Sequence, residues 1–253
     1  MTGILDLPAR EPDAVLRYGE APEHVADRYG SRSASSGGLV VLLHGGFWRN
    51  RYDRLHARPL AAALADHGYD VLVPEYRRIG DEGGGWPGTS DDVRAVIASL
   101  PTLAPGDQRR TTTLVGHSAG GHLALWSQAA HPSPHVDAVV ALAGVVDLEA
   151  AARERLSDDA VAELLGSAFP QQLPEADPAQ LPAPPMRFAL VHGDRDDVVP
   201  VEQSRRYAAL HPRAELHELA GVGHFELIDP REPAFDAVLR ALEPQAHVEP
   251  GRC

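Results

Sequence analysis

The chain has 253 residues, 43% of them hydrophobic, enough to bury a sizeable core in one large α/β domain or two small ones. Its formal net charge of −13 argues against a nucleic-acid backbone as partner, and all 23 basic residues are arginine. The single cysteine, Cys253, excludes an intrachain disulfide and a cysteine-based zinc site.

In chain order, the opening MTGILDLPAREPD acquires charges at once and lacks the apolar core of a signal peptide. Ala138 to Val146, the longest apolar segment, contains a glycine and is too short to span a bilayer. A cytoplasmic protein without a membrane partner is the expectation. Residues 1–38 are polar and rich in turn formers, which suits an N-terminal arm with one or two edge strands. Leu39 to Leu43 is a continuous apolar run, the mark of a strand buried on both faces. Leu55, Leu60, Ala63 and Leu64 give Asp53 to His67 helical periodicity, with Gly68 as its C-cap. Tyr69 to Val73 reads as a second buried strand, stopped by Pro74. Ile79 to Gly88 is a glycine-rich loop containing Trp86-Pro87. Thr89 or Ser90 should cap a helix to about Leu100, with Asp91 and Asp92 in its first turn.

Thr111 to Val115 has strand character, Gly121 to Trp126 suits a helix, and between them Gly116-His117-Ser118-Ala119-Gly120 fits G-x-S-x-G. A nucleophilic serine on so tight a turn has strained backbone angles, and its neighbours pass close to other chain, so glycines are required there. The helix that follows puts its positive end under a developing oxyanion. Asp137 to Leu142 is the next strand. Asp147 to Pro185 changes character: helical stretches at Leu148 to Leu156 and Asp158 to Leu165, then six prolines, as in an insertion above the sheet. A strand at Arg187 to Val191, a helix at Val201 to Leu210, a strand at Glu215 to Leu219 and a helix from about Pro233 to Leu242 complete the chain, with a frayed tail from Glu243. Strands alternating with helices predict a mostly parallel, doubly wound sheet with helices on both faces. The expected organisation is one α/β domain over 1–253, with 1–38 as its arm and 147–185 as a cap-like insertion.

A serine hydroxyl is a weak nucleophile that needs a base within reach, and the base needs an orienting carboxylate. On such a sheet both should follow the serine, acid first, on loops at the carboxyl ends of strands. His192-Gly193-Asp194-Arg195-Asp196-Asp197-Val198-Val199-Pro200 supplies the acid and Ala220-Gly221-Val222-Gly223-His224-Phe225 the histidine. Three aspartates compete on the first of these. Asp194, close behind Gly193, is placed to hold the turn. Asp197 adjoins the apolar pair Val198-Val199.

With these segments in view, the chain resembles the α/β-hydrolase family over nearly its full length. H-G-x-x-D-x-x-V-P and G-x-G-H-F are that family's acid and histidine segments. Carried over, the resemblance implies Ser118 as nucleophile, Asp196 as acid and His224 as base, with Asp194 and Asp197 as rivals. His44-Gly45-Gly46-Phe47-Trp48 resembles the H-G-G-x-W segment of esterases and arylformamidases. That likeness implies an oxyanion hole from backbone N–H groups of Gly46 or Phe47 together with Ala119, and His44 pinning the loop; Trp48 and Trp86 either line the substrate pocket or serve ordinary packing. Arg17-Tyr18-Gly19, Glu75-Tyr76-Arg77 and Gly144-Val145-Val146-Asp147-Leu148 are similar to segments of the kynurenine formamidase and small-esterase group.

The resulting expectation is a serine hydrolase that cleaves a small-molecule carboxylic ester through an acyl-enzyme. An arylformamidase acting on N-formylkynurenine is the alternative, and bulky Phe47 and Trp48 would suit its formyl-sized pocket. A short-peptide peptidase and a non-catalytic binding protein stand behind these. The chemistry calls for no cofactor. His117, His122, His131 and His135 lack metal-ligand spacing, so no metal is expected. No feature sets an oligomeric state.

Overall fold

The computed structural model describes residues 3–33, 37–105 and 111–243; Cys253 and, beyond Glu243, the tail expected to fray lie outside the described residues. Its centre is a sheet of eight strands in the order β1-β2-β4-β3-β5-β6-β7-β8. The strands are β1 (Ala14–Arg17), β2 (Val25–Tyr29), β3 (Leu39–Leu43), β4 (Asp70–Pro74), β5 (Thr112–His117), β6 (Ala138–Leu142), β7 (Arg187–Gly193) and β8 (Glu215–Leu219). β1 pairs antiparallel with β2, and β2 antiparallel with β4; every later pairing is parallel. The arm therefore contributes two strands at one edge.

Helices cover both faces, and the pleat sorts the apolar residues between them. From β3, Leu39, Val41 and Leu43 point to one side, where they meet Val93 and Ile97 of α2 (Gly88–Leu103) and Leu123 of α3 (Ala119–Ala130). Val40 and Leu42 point to the other, against Leu60 and Leu64 of α1 (Arg58–Asp66) and Phe235 and Val238 of α8 (Ala234–Leu242). This two-sided burial is why the central strands read as unbroken apolar runs. Each fully buried Leu or Val contributes about 1.5–3 kcal/mol.

Two local expectations need correction. α2 starts at Gly88, and neither Thr89 nor Ser90 caps it. The Thr89 hydroxyl donates instead to the Arg77 carbonyl (2.6 Å) and that of Ser90 to the Pro87 carbonyl (2.7 Å). Asp92 is buried in an ion pair with Arg77 (2.6 Å) and bonded to His24 (2.9 Å). A loop-to-helix network has taken the side chains that local propensity would assign to capping.

The second correction lies between β6 and β7. α4 (Leu148–Arg153) ends before Arg155, and α5 (Leu156–Leu165) is entered through left-handed backbone at Arg155, Ser157, Asp158 and Asp159, with φ of 49–62°. The expected break at Ser157 is present but wider, taking in Arg155 and the aspartates expected to open the second helix. Arg49, more than a hundred residues away in sequence, holds it by donating to the Ser157 hydroxyl (2.9 Å) and carbonyl (2.8 Å). The entry to α4 is held by carboxylates, as its dipole favours: Asp147 accepts from Ala150 N–H (2.9 Å), and Asp177 from Leu148 (2.9 Å) and Glu149 (3.0 Å). The short α6 (Leu173–Ala176) precedes β7, and α7 (Glu202–Leu210) joins β7 to β8.

Candidate active site

Ser118 stands alone between β5 and α3, at φ 56° and ψ −118°. A non-glycine residue in this region costs about 1–3 kcal/mol and persists only where its surroundings over-determine it. Here Ser118 N–H donates to the Leu142 carbonyl of β6 (2.8 Å), and its own carbonyl accepts from Gly121 (2.9 Å), His122 (3.2 Å) and Val145 (3.3 Å). The motif glycines are steric necessities: a Cβ on Gly116 would run into the Gly120 carbonyl, and one on Gly120 into the Leu43 carbonyl of β3.

The loops after β7 and β8 meet at Asp196 and His224. His224 Nδ1–H donates to Asp196 Oδ2 at 2.6 Å. The other oxygen, Oδ1, accepts from Val198 N–H (2.9 Å) and Val199 N–H (2.7 Å). His192, fully buried on β7, brings its Nε2 to 3.2 Å from Asp196 Oδ2 and is held by the Ser204 hydroxyl (2.7 Å) and the Val199 carbonyl (2.9 Å). Burial works against the charge on Asp196. The hydrogen bonds from His192 and His224, the charge of His224 and the Val199 N–H outweigh it and hold this carboxyl well below the usual carboxylate range. Asp194 turns elsewhere, accepting from Gly221 N–H at 2.6 Å, and so ties the acid loop to the histidine loop. Asp197 is exposed.

His117, the variable residue of the elbow, is buried against the His224 ring, with centroids 4.5 Å apart, and its Nε2–H donates to the His224 carbonyl (3.1 Å). Burial and the neighbouring His224 and His56 push its pKa well below that of a free histidine. A neutral ring thus packs beside the imidazole of His224.

The loop Gly45–Trp48 follows β3. Its Gly46 (φ 114°), Phe47 (φ 48°) and Trp48 (φ 59°) are all left-handed. Among the described residues, the N–H groups of Gly46, Phe47 and Ala119 donate to no carbonyl in the turns and loops. The loop is braced from behind. His44 Nε2 meets Glu75 Oε1 at 2.7 Å, its Nδ1 meets the Gly45 carbonyl at 2.7 Å, and its ring stacks on Tyr76 at 4.3 Å. The Tyr76 hydroxyl donates to the His44 carbonyl (2.7 Å), and that of Tyr18 to the Glu75 carbonyl (2.6 Å). Burial opposes ionisation of Glu75, yet the charge and hydrogen bond of His44, Arg78 and the Arg54 N–H lower its pKa to about 2.

Ser118, His117, His224, Gly46 and Phe47 line one cavity of about 250 Å³. Trp48 and Trp86, expected to line it, do not. The left-handed turn at Trp48 drives its indole into the core, where it is fully buried and its Nε1–H donates to His122 Nδ1 (3.2 Å). His122 in turn donates from Nε2 to the Ala176 carbonyl (2.8 Å). Trp86 packs edge-on against Trp126 at 4.8 Å. Glu75, His192 and His122 were not singled out for these bracing roles. His192 had a signal, as first residue of the acid segment; His122 had none, because its partners come from distant loops.

The arrangement can deliver a serine oxygen to a carbonyl carbon, pass its proton to a histidine oriented by a buried carboxylate, and offer N–H donors to the oxyanion. A family model described as BD-FAE matches residues 29–210. Esterase LipC of Mycobacterium tuberculosis is 28% identical in an alignment 243 residues long that covers 84% of this chain; the chain spans 59% of that relative's length. Among solved structures, a truncated carbohydrate esterase from gut microbiota superposes with a TM-score of 0.76 at 20% identity, covering 92% of this chain and 98% of that one. Esterase B of Lactobacillus rhamnosis (HN001) gives 0.74 at 22% identity, covering 93% and 86%.

Proposed function

The chain belongs to the BD-FAE family, with the α/β-hydrolase fold, and we propose that it hydrolyses small carboxylic esters through an acyl-enzyme on Ser118. One observation carries the mechanism: a strained serine shares a cavity with His224, whose Nδ1–H is bound at 2.6 Å to the buried carboxylate of Asp196. In this reading His224 Nε2 accepts the Ser118 proton as Oγ attacks the ester carbonyl. Asp196 fixes the tautomer and stabilises the imidazolium. N–H groups of Ala119 and of Gly46 or Phe47 receive the negative charge on the carbonyl oxygen. The imidazolium protonates the departing alcohol, and the same histidine activates the water that frees the acid. These residues need no cofactor for the sequence.

The names of the relatives support ester over formamide cleavage. The segments that resemble kynurenine formamidases serve a purpose common to either reaction. Tyr18, Glu75 and Tyr76 brace the loop behind Gly46, and Val145 N–H holds the Ser118 carbonyl. We read residues 147–185 as a cap on a single domain, since Ser157 reaches the cavity wall. No helix among the described residues is long and apolar enough to cross a membrane. With a single cysteine, the chain is compatible with a reducing compartment, and the cytoplasm is the proposed location.

The test is a hydrolysis screen of p-nitrophenyl esters of increasing acyl length beside N-formylkynurenine, combined with fluorophosphonate labelling mapped by mass spectrometry. Turnover of short esters and a label on Ser118 are expected. A label found only elsewhere, with Ser118→Ala still active, would overturn the mechanism.

A further inference from the structure

Beyond the reacting groups, the cavity wall carries Arg51, Tyr52 and His56. Burial and the nearby His44 lower the His56 pKa to about 4, so His56 is neutral at pH 7. No carboxylate lines the cavity, which leaves Arg51 as its permanent charge among the described residues. The arginines around Arg51 all have partners. Arg49 bonds Glu163 and Ser157, Arg54 reaches Asp27 at 3.0 Å, and Arg58 reaches Asp27 at 2.7 Å. Arg51 forms neither an ion pair nor a side-chain hydrogen bond among the described residues. Its guanidinium instead lies over the Tyr52 ring, 4.9 Å from the centroid. Such stacking steadies the planar group while leaving its N–H edge free.

In a chain of net charge −13, an anionic substrate meets overall repulsion, so a lone cation on the cavity wall decides whether it is held. A guanidinium fork matches a carboxylate in shape and charge. Phe47, Tyr52 and Phe225 supply aromatic surface for the carbon skeleton between that carboxylate and the ester. We propose that Arg51 recognises a carboxylate on the substrate, making the preferred class small esters that carry a free carboxylate. This inference rests on the reading of Ser118 as the nucleophile of an ester hydrolase.

The experiment compares isosteric pairs in a pH-stat assay. Ethyl hydrogen succinate against ethyl 4-methylpentanoate places the charge on the acyl side; 4-acetoxybenzoate against 4-isopropylphenyl acetate places it on the alcohol side. In one pair the wild type should favour the carboxylate member about tenfold in kcat/KM, as a charge-assisted contact at a partly exposed site allows, and the responding pair identifies the side. Arg51→Met should abolish that ratio and Arg51→Lys should keep part of it. The ratio should also shrink as salt rises. Arg240→Met, on exposed helix surface, should leave it unchanged. Equal ratios in wild type and Arg51→Met, or no carboxylate preference in either pair, would overturn the inference while Ser118-dependent hydrolysis of the neutral esters left the hydrolase reading standing. If the wild type cleaved no ester and Ser118 took no label, the hydrolase reading would fall and take this inference with it.

Discussion

Asp196 and His224 lie on loops that bind each other directly, through the 2.6 Å bond between them and the bond from Gly221 to Asp194. The loop carrying Gly46 and Phe47 is tied instead to the loop after β4, where Ile79 N–H donates to the Trp48 carbonyl (2.7 Å). It is held from behind by Glu75 and Tyr76 after β4, by Tyr18 after β1, and by His122 on α3. The contrast separates two kinds of information. Groups assigned to the chemistry occupy short segments, because each must project from one turn at the end of one strand. Groups that position a loop are recruited from wherever the fold brings a buried polar atom close enough.

Substitutions in the first region should act on rate, and the largest effect tests whether it is catalytic at all. Ser118→Ala should lower kcat on the order of 10⁶-fold, with the circular dichroism spectrum unchanged. A smaller loss, well under 10³, would mean that Ser118 is not the nucleophile. Asp196→Asn should cost about 10⁴ in kcat, because an amide cannot hold the imidazole in its working tautomer. Asp194→Asn retains an acceptor for Gly221, and Asp197 is exposed, so each of those asparagine variants should lose at most about tenfold. Steady-state kinetics on the three folded variants decides which carboxylate is the acid.

Changes to the second region should reach stability before rate. His122 and His56 have folded pKa values lowered to about 4, His122 chiefly by burial and His56 by burial and His44. The unfolded chain binds protons on these rings near pH 6.5 and the folded chain does not. Their contribution is therefore fully present above pH 6.5 and is lost as pH falls towards 4. At pH 5 the loss is about 2 kcal/mol per histidine, or 1.5 pH units at about 1.36 kcal/mol each. Urea unfolding at pH 7.5 and pH 5 should show it, and His122→Phe should flatten the dependence by one histidine's share. Equal stability at the two pH values would remove the neutral imidazoles from the account. A modest effect is expected for Trp48→Phe, which deletes the N–H that His122 accepts. It should lower kcat about tenfold, less than the 10²–10³ typical of losing an oxyanion donor outright. Unchanged kcat would show that the loop keeps its place without this brace.

The same division explains what could be read in advance. The central strands were legible because each is buried on two faces, and the elbow because its glycines are forced by carbonyls within reach of any Cβ. The meeting of an acid loop with a histidine loop followed from the order of loops along the sheet, whereas the choice of Asp196 among three aspartates came from the resemblance to H-G-x-x-D-x-x-V-P. Trp48 was misplaced because local sequence expects glycine at positive φ, whereas here Phe47 and Trp48 both adopt it and the turn reverses the indole's direction. Thr89 and Ser90 looked like caps because capping is a local rule, and the carbonyls they reach at Arg77 and Pro87 are set by the preceding loop. A break near Ser157 was legible, but not its spread over Arg155–Asp159, where the Arg49 contacts lie outside any window of neighbouring residues.

The bonds that fasten the stretch between β6 and β7 end largely on carbonyl oxygens: His122 to Ala176, Trp126 to Glu175, and Arg49 to Ser157. Every residue type presents such an oxygen. Mutational drift along this stretch can then replace most side chains without losing a fastening, provided the path of the backbone is kept. Much of the burden of inheritance falls on donors that lie outside the stretch they hold, these three among them, with Gln203 and Arg213 beside them. Diverging descendants would alter the outer surface here freely and keep an arginine, a histidine and a tryptophan at positions that look unrelated to it.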